Sequence, residues 1–333
     1  MKISVIGDGG WGTALAMVLQ RNGHDMTVWG PFTNYTAEVQ RSRENTKFLA
    51  GVPLPDGMRF TSDPDAATTD IEAAVLAVPT KFYRDVLEQF RGRLPGSADY
   101  VSVSKGLDRE THHRMTEVAE EVLGLAPIAA LSGPSHAEEV ARGVPSAVAI
   151  ACADHECAVR WQAIFSNPVF RVYTSDDVVG VELGGAMKNV IAVAAGISDG
   201  IGFGDNTKAA LVTRGLAELS RLGAALGAHP ETFAGLSGIG DLIVTCMSQL
   251  SRNRAVGERL GKGETLDQIM ASMEQVAEGV WTCGTAQALA KSLGVEAPIT
   301  DEVHAVVHGG KDPREAVQDL LGRNPRPERD GIS

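Results

Sequence analysis

The chain has 333 residues, 44% apolar and 22% charged, a composition that suits a folded protein of two domains and excludes a disordered or fibrous one. Its 42 acidic side chains outnumber 30 basic ones, and the net charge of -12 repels phosphate backbones and anionic membrane surfaces, so nucleic acid is not an expected partner. An anionic small substrate must then meet a local cluster of Lys and Arg set against the global sign.

In chain order, a strand is predicted at residues 3–6, followed by Gly7-Asp8-Gly9-Gly10-Trp11-Gly12 and a helix over 13–21. Residues 1–19 do not read as a targeting segment, because Asp8 and the glycines interrupt the apolar stretch. Further β-branched runs predict strands at 26–29, 74–78, 100–103 and 128–131, with 146–151 and 170–173 extending the same sheet. Strands alternating with helical patterns point to a parallel sheet with crossover helices.

After residue 176 the texture becomes helical, with stretches at 178–197, 207–226 and 266–277. In the first of these, Val179, Leu183, Met187, Val190 and Ala194 recur at steps of three and four, which predicts one apolar face on a helix joining the domains. The expected division is therefore a Rossmann-type α/β domain over 1–176, an all-α domain over 177–322, and a loose tail over 323–333. The longest clean apolar run, 190–197, is far short of the ~20 residues a bilayer span needs, so a cytoplasmic protein without stable membrane insertion is expected. Cys152, Cys157, Cys246 and Cys283 form no CxxC pair and have no His at metal-ligand spacing; buried, inert thiols and no metal are expected.

The turn after the first strand carries the first chemistry. Gly7 permits a tight turn, Gly9 lets the backbone approach a pyrophosphate, and Gly12 lets the helix pack closely on the strand. The helix N-terminus then offers free N–H groups and a favourable dipole to a phosphate. At the end of the second strand, Trp29-Gly30-Pro31-Phe32-Thr33 supplies neither the acid that holds the ribose of NAD nor the Arg that greets the phosphate of NADP. Phe32 could stack on adenine or simply pack in its loop. With no cation evident there, NAD is favoured over NADP.

Two lysines stand out. Lys105 follows the strand at 100–103, and Lys188 lies mid-helix in Gly184-Gly185-Ala186-Met187-Lys188-Asn189-Val190. Glycines there cost about 1 kcal/mol each in helix propensity, so a close approach to cofactor or sheet is the expected reason for them.

Taken together, the chain resembles the NAD(P)-dependent glycerol-3-phosphate dehydrogenase family. The matching stretches, in family order and over nearly the whole chain, include residues 7–16, Ser104-Lys105-Gly106-Leu107, Gly133-Pro134-Ser135, 181–196, 202–208, Gly238-Ile239-Gly240-Asp241-Leu242, Ser251-Arg252-Asn253-Arg254 and Glu278-Gly279-Val280. The resemblance implies interconversion of sn-glycerol 3-phosphate and dihydroxyacetone phosphate, with glycerol 3-phosphate passing to phospholipid synthesis. It nominates Lys188 as proton acceptor, with Lys105 and Asp241 beside it in catalysis. It implies substrate contacts from Lys105, Gly133, Ser135, Lys188, Asp241, Thr245, Ser251, Arg252 and Asn253. Cofactor contacts are implied for Gly7, Gly9, Gly10, Trp11, Gly12, Phe32, Phe48, Lys105, Ala137, Arg252, Val276 and Glu278. His136, though nearest the site, reads as structural. A free lysine is a poor base at neutral pH, whereas burial and neighbouring cations favour its neutral form. Arg252, beside a helix cap at Ser251, offers a bidentate fork to the phosphate.

Two departures stand against the family pattern: Gly10 replaces a Ser whose hydroxyl could bind phosphate, and Pro31-Phe32 replaces basic residues common in members that accept NADP. The expected partner is a small phosphorylated substrate, and a homodimer stays open. A related hydroxy-acid or hydroxyacyl dehydrogenase and a catalytically silent NAD-binding redox sensor are the competing readings.

Overall fold

A computed structural model describes residues 1–273, 275–325 and 327–328. The described residues divide into two compact units, Met1–Ser104 with Met115–Val178, and Lys105–Arg114 with Val179 onward.

The first unit holds one eight-stranded sheet: β1 (Lys2–Ile6), β2 (Asp25–Trp29), β3 (Arg59–Thr61), β4 (Ala73–Leu76), β5 (Asp99–Ser102), β6 (Ile128–Ser132), β7 (Ser146–Ala151) and β8 (Phe170–Ser175), in the order β3-β2-β1-β4-β5-β6-β7-β8. All pairings are parallel except β6–β7, so the sheet is not parallel throughout. Its inner strands are apolar on both faces, because helices cover both. Ile3, Val5, Met26, Val28, Val75 and Val101 feed one core layer, while Ile6, Trp29, Leu76 and Tyr100 feed the other. The strand missing from the sequence reading, β3, is a three-residue edge strand in which Phe60 alone is buried; it has too little pattern to register.

The second unit is helical. Its central Val178–Ile201 helix is buried on every side from Gly180 to Ser198, where the apolar spacing predicted a single buried face. A helix apolar all round belongs inside a core. By length and composition this helix could cross a membrane, but 89% of the relevant window is buried inside the protein. The expected helix over 266–277 stops early: Leu266–Ala271 is helical and Ser272 ends it. Asp205–Ala225 occupies the stretch expected at 207–226.

Glycines set the spacing of the central helix. A Cβ at Gly196 or Gly200 would fall 2.0 Å from the Arg254 carbonyl oxygen or 2.1 Å from that of Glu258. In the facing Arg252–Gly261 helix, a Cβ at Gly257 would come equally close to the Val193 carbonyl oxygen. The two backbones thus touch, which packs the second helix along the C-terminal part of the first.

The Lys105–Arg114 segment joins this unit through several contacts. Leu107 sits in a core with Leu183 and Met187, and Arg114 forms a 2.7 Å ion pair with buried Glu182. The Arg109 guanidinium lies 4.0 Å from the Trp281 ring, and the Lys105 carbonyl accepts a hydrogen bond from Asn189. In the expected tail, Arg323, Asn324, Pro325, Pro327 and Glu328 are described, and the Glu328 carbonyl accepts from Arg214; Arg326 and 329–333 lie outside the described residues. All four cysteines are buried and unpaired, and burial pushes the Cys246 and Cys283 thiols up to about 12.

Candidate active site

In the first unit, β1 runs directly into the glycine turn, and the helix Gly10–Arg21 begins three residues before the predicted start. Gly7 has φ +122°, and a Cβ there would lie 2.4 Å from the Ala77 carbonyl oxygen. At Gly12 a Cβ would meet the Gly7 carbonyl at 2.2 Å, so strand, turn and helix close on one another without side chains. Gly9 meets nothing within 4 Å. Its open backbone beside the N–H groups that a helix start leaves unpaired fits a dinucleotide pyrophosphate.

Gly10 reads in the sequence as a lost hydroxyl, but the geometry gives a steric reason. A Cβ there would fall 2.4 Å from the Phe48 carbonyl oxygen, so the 45–49 loop takes up the space a Ser would need. Asn45, fully buried, ties that loop down. Its amide donates to the Asp8 carbonyl at 2.7 Å and to the Thr13 hydroxyl at 2.8 Å, while its carbonyl accepts from the Tyr35 hydroxyl and the Phe48 N–H. Sequence reasoning misses Asn45; a buried amide far along the chain from its partners leaves no local signal. The Phe48 ring packs edge-on against Tyr35, and Lys47 lies 5.2 Å from the Phe48 ring and 5.9 Å from that of Phe32. A cation therefore does stand beside Phe32, contrary to the sequence reading, because the loop after the next helix delivers it.

Trp11 packs against the sheet core from the first turn of the helix, and Ala137, at the start of Ala137–Ala141, lies 3.7 Å from where a Gly10 Cβ would be. Gly133 has φ +143°, and its carbonyl accepts the Ser135 hydroxyl at 2.8 Å. His136 is the residue before the Ala137 helix and makes no side-chain cap bond.

In the second unit, Lys188, Lys105 and Asp241 converge. Asp241 is fully buried; its Oδ2 accepts from the Lys105 ammonium at 2.8 Å and its Oδ1 accepts from that of Lys188. Burial drives the Lys188 ammonium down to about 7; Asp241 opposes the change and Lys105 adds to it. Burial also works against ionisation of Asp241, but Lys105 and Lys188 together outweigh it and hold the carboxyl below its ordinary range. Thr245 donates its hydroxyl to the Asp241 carbonyl at 2.6 Å, one helical turn back.

The helical turn Leu236–Gly240 that leads into Asp241 is held close by Gly184, where a Cβ would come within 2.2 Å of the Ser237 carbonyl oxygen. That backbone contact, within the helical unit, explains the costly glycine that sequence reasoning assigns to cofactor or sheet. A hydrogen-bond relay orders the neighbouring backbone. Asn189 donates to the Lys105 carbonyl at 3.2 Å, Asn253 donates to Asn189 at 2.8 Å, and Gly279 N–H donates to Asn253 at 2.8 Å. Asn189 escapes notice in the sequence because it adjoins the more conspicuous Lys188. Asn253, expected on substrate, spends its amide inside this relay. Ser251, also expected on substrate, uses its hydroxyl to cap the Arg252–Gly261 helix by accepting from Arg254 N–H at 3.2 Å.

Arg252 opens that helix with an exposed side chain, and Glu278 opens the later helix Glu278–Leu293. Val276, half-buried, precedes it without regular structure. Among the described residues, no group of three His, Cys, Asp or Glu is placed to hold a metal.

Comparison with known proteins bears on this arrangement. Residues 2–158 match the family model described as NAD-dependent glycerol-3-phosphate dehydrogenase N-terminus, and residues 177–318 match its C-terminus. A relative in Geobacillus kaustophilus named glycerol-3-phosphate dehydrogenase [NAD(P)+] is 52% identical, over 100% of this chain and 97% of its own. One of the same name in Trichlorobacter lovleyi is 50% identical, over 99% of this chain and 100% of its own. The crystal structure of glycerol-3-phosphate dehydrogenase from Coxiella burnetii superposes with a TM-score of 0.94 at 36% identity, covering 97% of this chain and 99% of that one. The chain belongs to the NAD-dependent glycerol-3-phosphate dehydrogenase family.

Proposed function

We propose that the chain is a cytoplasmic oxidoreductase that interconverts sn-glycerol 3-phosphate and dihydroxyacetone phosphate with NAD(H) or NADP(H), feeding glycerol 3-phosphate to phospholipid synthesis. The observation that carries the reading is the buried Lys188–Asp241–Lys105 centre in a chain of this family. The nicotinamide, when bound, takes or returns the hydride at the central carbon of the substrate.

The chain's own residues handle the proton. In the oxidative direction neutral Lys188 accepts the proton of the central hydroxyl at Nζ; in the reductive direction its protonated form donates to the oxygen that becomes that hydroxyl. With a pKa of about 7, Lys188 has substantial populations of both forms near neutrality. Asp241 orients it, Thr245 fixes the backbone of Asp241, and Lys105 supplies positive charge that favours neutral Lys188 and attracts the anionic substrate. Arg252 takes the phosphate, the local cation that a chain of net charge -12 needs. Gly133, Ser135, Thr245, Ser251 and Asn253 shape the substrate site, the last three by positioning. Trp11, Phe32, Phe48, Ala137, Val276 and Glu278 line the cofactor alongside the glycine turn. A homodimer is compatible with this reading. The family match over both domains leaves the hydroxy-acid, hydroxyacyl and sensor readings without support.

The direct test is NADH oxidation by dihydroxyacetone phosphate. Lys188→Ala should abolish turnover while NADH still binds; normal turnover in that variant would remove Lys188 from the role.

A further inference from the structure

We propose that Asp8 is the residue that holds the adenosine ribose, and that its carboxylate makes NAD the preferred cofactor by excluding the 2′-phosphate of NADP. The proposal rests on the glycine turn binding a dinucleotide and goes beyond it by naming what sets the choice.

In dinucleotide-binding sheets the ribose diol is held by an acid at the end of β2, beside the turn. Here that position is Gly30, which has no side chain. The turn itself supplies the acid. A Cβ built at Gly30 would fall 2.0 Å from Oδ2 of Asp8, so the Asp8 carboxylate occupies the space beside the end of β2. The Gly7 N–H donates to the Trp29 carbonyl at 2.9 Å, pinning the turn against that strand end. The Asp8 carbonyl accepts from Asn45 and from the Thr13 hydroxyl, so its backbone is fixed.

Asp8 is 5% exposed, and its Oδ2 has no hydrogen-bond donor among the described residues. A buried acceptor left in that state is costly unless a ligand satisfies it. Two vicinal hydroxyls donate to a carboxylate and would do so, whereas a phosphate in place of one brings a second anion against the first. Burial raises the Asp8 carboxyl to about 6, with Lys47 opposing that rise, so the group is ionised at pH 8. Lys47 also stands 5.9 Å from the Phe32 ring, within the same corner. Once Asp8 is neutral, that cation favours a phosphate.

The test is equilibrium binding of NADH and NADPH to the full chain at pH 8, followed by fluorescence, for the parent, Asp8→Ala and Asp8→Asn. The parent should bind NADH more than about tenfold tighter than NADPH, and either substitution should reduce that ratio at least tenfold, about 1.4 kcal/mol. Adding Lys47→Ala to Asp8→Asn should then weaken NADPH more than NADH. Gly30→Ala, whose methyl group must displace the carboxylate, should lower the ratio without touching Asp8. An unchanged ratio in both folded Asp8 variants, or equal affinities in the parent, overturns the assignment. Failure of the parent to bind either nucleotide overturns the dinucleotide reading beneath it.

Discussion

Asp241→Asn is a sharp test of how the buried lysine centre is held. The aspartate accepts from two ammonium groups, one on each oxygen, and is itself fully buried. Asparagine keeps the shape but offers one acceptor, and its amide N–H2 must face the other ammonium. The substitution therefore removes the anion, sets donor against donor, and leaves Lys188 buried without its counter-charge. Breaking a buried pair in this way costs about 3–5 kcal/mol. Lys105 is 15% exposed at its side chain and can swing toward water, which favours the lower end, about 3 kcal/mol. Urea unfolding followed by tryptophan fluorescence and circular dichroism measures the loss. Replacing Lys188 as well, in Asp241→Asn/Lys188→Met, removes both buried charges and should restore most of the stability, giving a coupling of about 2 kcal/mol or more. If the two substitutions add to within about 0.5 kcal/mol, the ion pair does not hold this centre together.

Other consequences follow from the same geometry. Because Lys188 titrates near 7, oxidation of glycerol 3-phosphate should rise as pH increases through about 7 while reduction of dihydroxyacetone phosphate falls; pH profiles of kcat in both directions check this, and parallel profiles would contradict it. Gly10→Ser places a Cβ 2.4 Å from the Phe48 carbonyl oxygen, so it should destabilise the sheet unit by about 1–3 kcal/mol and weaken NADH binding, read by thermal unfolding and fluorescence titration. Arg252→Ala should raise KM for dihydroxyacetone phosphate roughly 10- to 150-fold while leaving unphosphorylated dihydroxyacetone unaffected; an equal effect on both would deny the phosphate contact. Asp8→Asn should stabilise the free protein at pH 8 and lose that advantage toward pH 4, as urea unfolding at the two pH values would show. A carboxyl that ionises at about 6 when folded, against an ordinary 3.8, binds its proton more tightly in the fold, so its ionised form penalises the folded state above about 6.

What the sequence makes legible and what it hides divide along physical lines. The strand, glycine turn and helix at the N-terminus are local, and their spacing alone announces them. Lys188 is visible because a charge in an apolar helical run demands an explanation. The settings of these groups are long-range. Asp241 is separated from Lys188 by 53 residues and from Lys105 by 136, so short-range periodicity cannot pair them; only family resemblance associates them before the fold is seen. Gly184 is recognisable as costly, but its reason, the Ser237 carbonyl, lies on another element. Lys47 corrects the view of the Phe32 corner for the same cause. Asn45 and Asn189 carry no pattern at all, since an amide acquires its role only through partners that the fold brings to it.

The Lys105–Arg114 segment has a consequence for how this chain can be divided. Its neighbours in sequence belong to the sheet unit, yet Leu107, Arg109 and Arg114 find their partners among helices. The backbone thus passes from one unit to the other three times, at 104/105, 114/115 and 178/179. A single cut near 176, which the sequence alone recommends, yields a fragment bearing an apolar leucine and a buried-pair arginine with nothing to meet them, and a helical half deprived of Lys105. Each product differs from the compact units by that one segment. Anyone wishing to express the halves separately, or to graft this nucleotide-binding sheet onto another helical partner, must bridge 104 to 115 and carry the ten-residue segment with the helices.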